Sequence, residues 1–160
     1  VQRASVTTLG ALAAVLPKQP EPPPRNRLRE GHMALAVCGA HMQGLALNHQ
    51  LRERGGYWLE TTATAPRYRL FALPGGPPHR PGLMRVPTDG ARIALEIWAL
   101  PMEHMGSFIA AIPAPLGLGK IELASGSLVT GFLCEGYAIE GATDITRHGG
   151  WRAYVTAAAP

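Results

Sequence analysis

Apolar residues come in short runs, and the first clear one, Met33-Ala-Leu-Ala-Val-Cys38, is closed by Gly39. A run of that length bounded by glycine predicts a buried strand. Asn48 to Arg54 follows as a short helix: Leu47 and Leu51 share a face, Asn48 is placed to cap its start and Gly55 to close it. Tyr57 to Thr62 and Tyr68 to Leu73 have the residue types of strands and are separated by Ala65-Pro66. Pro74-Gly-Gly-Pro-Pro78 is a loop by composition, extended by Pro81-Gly82. Arg92 to Trp98 alternates Ile93, Leu95 and Ile97 against Ala94, Glu96 and Trp98, which is strand periodicity.

Pro101 suits the first position of a helix, and Met105, Phe108, Ile109 and Ile112 then recur at helical spacing until Pro113. Pro113 to Gly119 reads as a loop and Lys120 to Leu123 as a strand. Ser125-Gly126 turns the chain into Leu128 to Ile139, making a hairpin. Asp144 to Gly150 is a loop, and Trp151 to Val155 is expected to be a closing strand. This order predicts an α+β fold, a small mixed β-barrel or strongly curved sheet with packed helices, over residues 32–158.

The leader differs. Leu9 to Leu16 has room for a turn or two of helix, and Pro17-Lys-Gln-Pro-Glu-Pro-Pro-Pro24 ends it, because prolines lack donors and favour polyproline II. Residues 1–31 are therefore expected to be a flexible Pro-rich linker or tail. The chain starts with Val1 rather than Met and is read as a piece of a longer protein.

Composition narrows the function classes. At 160 residues, with 46% hydrophobic and 16% charged residues, the chain is long enough for one core and has a sparsely charged surface. The formal charge is +4, but the basic residues are scattered and not interleaved with aromatics, so no nucleic-acid partner is expected. No apolar run approaches the roughly 20 residues that span a bilayer, and no membrane partner is expected. Cys38 and Cys134 stand far apart in apolar surroundings and read as buried free thiols, consistent with a reducing, cytoplasmic location.

Several familiar motifs fail. Gly117-Leu-Gly119-Lys120 lacks the earlier glycine of a P-loop, and Ile121 stands where Ser or Thr is needed. The six histidines show no paired-ligand spacing, so no metal or other cofactor is expected. Neither Ser107 nor Ser125-Gly-Ser127 has a nucleophile-elbow context.

His41 sits where a strand passes into a helix, behind Gly39 and Ala40, whose small size allows close approach of a ligand. Its ring is suited to proton transfer near neutral pH, and an ordinary loop histidine is the competing reading. Arg67 and Arg69, on either side of Tyr68, alternate onto one side of a strand and make a pair suited to a carboxylate, or simply a solvated pair. Glu122, between Ile121 and Leu123, faces either solvent or a cavity.

The stretches Gly39-Ala-His-Met-Gln-Gly-Leu-Ala-Leu-Asn-His-Gln-Leu51, Thr64-Ala-Pro-Arg-Tyr-Arg-Leu-Phe-Ala-Leu-Pro74, Ala111-Ile-Pro-Ala-Pro-Leu-Gly-Leu-Gly119 and Gly131-Phe-Leu-Cys-Glu135 resemble the C-terminal domain of allophanate hydrolases. Asp144-Ile to Gly149-Gly-Trp-Arg-Ala-Tyr154 does too, so the likeness runs in order from Met33 to Val155. The resemblance implies a fold similar to γ-glutamylcyclotransferases. It also implies an amidase domain elsewhere in the same protein, absent from this sequence, for which residues 1–31 would be the tether.

By the same resemblance the domain promotes decarboxylation of N-carboxycarbamate, the small anionic product of that amidase, in urea or cyanuric acid breakdown. His41 would be catalytic, as an imidazolium giving a proton to the carbamate nitrogen. Gly39, Ala40, Arg67, Tyr68, Arg69, Pro115, Gly117 and Glu122 would hold the substrate. Phe108-Ile-Ala-Ala-Ile-Pro113 lacks the glutamate that cyclotransferases carry there, which argues against γ-glutamyl chemistry. The alternative is a non-catalytic domain that links a homo-oligomer or larger pathway complex, for which the apolar Met102 to Ile112 helix is the feature to inspect.

Overall fold

The computed structural model describes residues 26–160. The expected leader helix and the polyproline tract lie outside the described residues. Strand β1 (His32–Val37) is central to a five-stranded sheet of order β2-β5-β1-β7-β6, where β2 is Tyr57–Ala63, β5 Ala94–Pro101, β6 Leu116–Glu122 and β7 Leu128–Cys134. β1 runs antiparallel to β5, pairing His32 with Pro101 through Val37 with Glu96, and parallel to β7, pairing Ala36 with Gly131. The sheet is thus mixed. A bridge between Thr64 and Leu123 joins its two edge strands at one end, with the Ala65 N–H donating to the Glu122 carbonyl at 2.9 Å. The expected α+β class and curved mixed sheet are what the chain forms.

A second, antiparallel sheet has the order β4-β3-β8, with β3 at Tyr68–Ala72, β4 at Pro81–Arg85 and β8 at Thr143–Asp144. β4 lies against β7, where a side chain on Gly82 would come within 2.7 Å of the Cys134 Sγ. Among the described residues three short α-helices complete the fold: α1 (Asn48–Arg52), α2 (Met105–Ala110) and α3 (Trp151–Ala158). Leu35, Leu51, Tyr68, Leu70, Trp98, Leu100 and Phe108 fill the core between them and the sheets.

Several local expectations need correction. Pro81-Gly82 does not extend a loop but opens β4, since Pro81 stands at the first residue of a strand where its missing N–H is tolerated. Leu116 to Gly119 belongs to β6, in ladder with Leu133 and Phe132. Pro101 ends β5, and the helix begins after a 3-10 turn at Met102–His104. Trp151 to Val155 is helical because Trp151, Tyr154 and Val155 share one face at i, i+3, i+4 and pack on the core, overriding their strand propensity.

Residues 26–31, part of the expected tether, make contacts with β2. The Asn26 amide donates to the Trp58 carbonyl at 2.7 Å, the Tyr57 hydroxyl donates to the Arg27 carbonyl at 2.8 Å, and the Arg29 guanidinium lies 4.7 Å from the Tyr57 ring centre. No helix among the described residues is long and apolar enough to cross a membrane.

Candidate functional site

β1 ends at Val37, and the chain then passes through turns before α1: the Met42 N–H donates to the Gly39 carbonyl at 3.0 Å and the Leu47 N–H to the Ala40 carbonyl at 2.8 Å. Asn48 does not cap α1, whose N-cap is Leu47 with no side-chain hydrogen bond. Its buried amide instead donates to the His41 carbonyl at 2.8 Å and so fixes the backbone that carries the ring.

The His41 ring is half-buried in an aromatic slot. It stacks on Phe132 of β7 with centroids 5.1 Å apart and meets Phe108 of α2 edge-on at 5.3 Å. Its Nε2–H donates to Oε1 of Gln50 at 2.8 Å, which leaves the lone pair of the neutral ring on Nδ1. Behind Gln50, Arg54 donates to the Gln50 carbonyl at 2.9 Å and to the Ser107 hydroxyl at 3.1 Å, tying α1 to α2.

This ring lies in the wall of a cavity lined by Val37 to His41 after β1, by Leu47 and Gln50 of the α1 region, and by Arg80 and Pro81 at the start of β4. Phe108, Ala111, Ile112, Pro113, Leu116 and Phe132 close the other side. Its volume, as space open to the centre of a water molecule, is about 40 Å³, and one water needs roughly 10–15 Å³ on that measure. The cavity therefore suits a ligand of a few non-hydrogen atoms.

Electrostatics hold the ring neutral. Burial lowers the His41 pKa first; the Gln50 hydrogen bond raises it, and the positive charge of Arg80, with His49 and Arg54, lowers it further. Cys38 also lines the cavity, but burial pushes its thiol up to about 12, with Cys134 adding to the rise, so it is no thiolate nucleophile at neutral pH. Both cysteines are free, Cys38 buried and Cys134 half-buried. Among the described residues no group of three or more His, Cys, Asp or Glu side chains is placed to hold a metal ion.

The other residues expected at the site divide. Gly39 and Ala40 line the cavity with His41, although the space a Gly39 side chain would need is taken by Pro81, whose Cδ would lie 2.6 Å from it. Gly39 thus serves the approach of β4. Between Pro115 and Gly117 it is Leu116 that reaches the wall; the Pro115 carbonyl accepts the Glu135 N–H, and Gly117 pairs with Leu133.

Arg67, Tyr68, Arg69 and Glu122 do not line the cavity. Arg67 and Arg85 both reach the Glu122 carboxylate, at 3.8 and 3.1 Å. Arg69 pairs with Asp144 at 2.7 Å. Tyr68 is fully buried and its hydroxyl accepts the Glu122 N–H at 2.8 Å. Sequence reasoning missed Gln50, Arg54, Arg80, Phe108 and Phe132. Of these, Gln50 stands in the same stretch as His41 and Phe132 in Gly131-Phe-Leu-Cys-Glu135, whereas nothing local tied Arg54, Arg80 or Phe108 to the site.

Comparison with known proteins gives the family. A model of the family described as allophanate hydrolase C-terminal domain matches residues 33–156. The urea amidolyase of Saccharomyces cerevisiae is 48% identical over 124 residues, covering 75% of this chain and 7% of that protein. The urea amidolyase of Lachancea kluyveri is 44% identical over 130 residues, 79% of this chain and 7% of that protein. The chain thus spans a small fraction of the length of the curated relatives it matches.

The crystal structure of Kluyveromyces lactis allophanate hydrolase superposes with a TM-score of 0.77 at 40% identity, over 80% of this chain and 22% of that one. A uropathogenic E. coli-specific protein superposes at 0.73 and 38% identity, over 78% of this chain and 96% of its own. With the family match spanning both sheets and every element around His41, this chain belongs to the allophanate hydrolase C-terminal domain family.

Proposed function

We propose that the His41 cavity promotes decarboxylation of N-carboxycarbamate, delivered by an amidase domain of the same protein in the cytoplasm. The observation that carries the reading is a half-buried imidazole, hydrogen-bonded to Gln50 and held between two phenylalanines, in a cavity of small-molecule size. In the reaction, the bond between nitrogen and one carboxyl carbon breaks, and that carboxylate leaves as carbon dioxide. The electron pair stays on nitrogen, which takes a proton and becomes the amine of carbamate. Carbamate then takes a second proton, from water, on its nitrogen and falls apart to ammonia and a second carbon dioxide.

The free site favours neutral imidazole, which by itself is a poor acid. A dianion against the ring reverses this, because an opposite charge within about 4–6 Å favours the charged form. His41 therefore takes up its proton on Nδ1 as substrate binds and passes it to the leaving nitrogen. General-acid help of this kind accelerates a step by roughly 10²–10⁴-fold. No cofactor or metal enters this step.

The test mixes the full chain with freshly generated N-carboxycarbamate and follows carbon dioxide release by stopped flow. Wild type should outpace both buffer and His41→Ala. Equal rates for the two proteins would overturn the catalytic reading. They would leave the assembly reading, for which the exposure of Met102 and Ile109 on the outer side of the α2 region speaks.

A further inference from the structure

Arg80 is the cation of the cavity wall, and its guanidinium has no ion-pair or hydrogen-bond partner among the described residues. Three arginines elsewhere in the fold are engaged, Arg54 with Ser107 and Gln50, Arg69 with Asp144 and Arg152 with Glu96, whereas Arg80 faces the cavity. Arg80 is also well placed. The Leu73 N–H donates to its carbonyl at 3.1 Å, closing the loop between β3 and β4. Its neighbour Pro81 is buried and sits on Gly39, two residues before His41.

The wall contains no Asp or Glu, and much of it is apolar, with Phe132, Phe108, Ile112 and Leu116. A half-buried arginine that shares a cavity wall with an imidazole and no acid is suited to a short carboxylate ligand. A zwitterion is disfavoured, since an ammonium group would meet the charge of Arg80 and no carboxylate in return.

We propose that Arg80 anchors one carboxylate of a short dianion in this cavity and sets the other end against His41. The inference rests on the decarboxylation reading for the identity of the reacting dianion, and not for the site itself. Arg80 acts on His41 from the loop residue that precedes β4, as His49 and Arg54 do from the α1 side, and Cys38 in the wall stays a thiol. When a carboxylate neutralises Arg80, its opposition to a charged ring is removed. His41 then takes a proton when the cavity is filled.

Malonate, with a methylene where N-carboxycarbamate has its N–H, is an unreactive probe. The full chain is titrated with malonate by calorimetry, and the His41 ring resonances are followed against pH by NMR. Wild type should bind malonate and show the His41 titration moving to higher pH. Arg80→Gln should bind malonate about tenfold or more weakly, with the His41 titration of the empty site already displaced upward. Arg80→Lys, which keeps charge without the fork, should fall between.

Equal malonate affinity in wild type and Arg80→Gln would overturn the inference, as would a His41 titration that malonate does not move. If malonate binds through Arg80 while the wild-type chain fails to speed carbon dioxide release, the dianion site stands and the decarboxylation reading falls. If wild type and Arg80→Gln speed that release equally, the anchoring inference falls and the decarboxylation reading stands.

Discussion

Burial and neighbouring positive charge act in the same direction on the His41 ring, and Gln50 alone opposes them. The result is linked to stability. The unfolded chain binds a proton at this residue near pH 6.5, whereas the folded chain resists it, so the unfolded state holds more protons in that range. The stability that His41 allows above about pH 6.5 is lost as pH falls through its lowered folded value. His41→Asn should abolish this component. Urea midpoints at pH 7.5 and 5.5 should therefore differ more for wild type than for the variant, and equal differences would contradict it. The position of His41 after a glycine was legible in the sequence, as was its neighbourhood of small residues. The partners of Arg67 and Arg69 were not, since Glu122 and Asp144 lie more than fifty residues further along the chain and meet them only through the tertiary fold.

At the level of elements, α3 shows where pattern reading gave way. Five residues rich in aromatic and β-branched types look like a strand, yet Arg152 on the same segment has a helical task. Its guanidinium donates to the Gln43 carbonyl at 2.7 Å and to the buried Glu96 carboxylate at 3.2 Å. Glu96 also accepts the Gln43 N–H at 2.9 Å and the Trp98 indole at 2.8 Å. A single carboxylate thus joins α3, β5 and the turn after His41. Arg152→Ala leaves the other two donors in place, and Arg152 is half exposed, so the loss is modest: about 1–2 kcal/mol. Urea unfolding should show a lower midpoint with weakened protection of α3 amides in hydrogen exchange. An unchanged midpoint would mean the helix is held by Trp151 packing alone. The strands with clear alternation or glycine boundaries, β1 and β5, were by contrast readable, because their core face is written locally.

Closure of the sheet depends on residues distant in sequence, and this part of the fold was not visible in any local pattern. Thr64 and Leu123 bridge β2 to β6, and Ala124 donates back to the Ala63 carbonyl at 2.9 Å. Thr64 is fully buried; its hydroxyl accepts the Ile93 N–H at 3.0 Å and donates to the Ala65 carbonyl at 2.8 Å. One side chain therefore ties the seam to the segment leading into β5. Thr64→Val keeps the shape and removes both bonds, leaving a buried N–H without its partner, which costs about 1–3 kcal/mol. Because β1, β5 and β7 share one core with the seam, the loss should lower the urea midpoint of the whole domain in a single transition with an unchanged slope. Two separate transitions, or a changed slope with the same midpoint, would show that the seam opens independently and that closure of the sheet is not what holds the His41 cavity together.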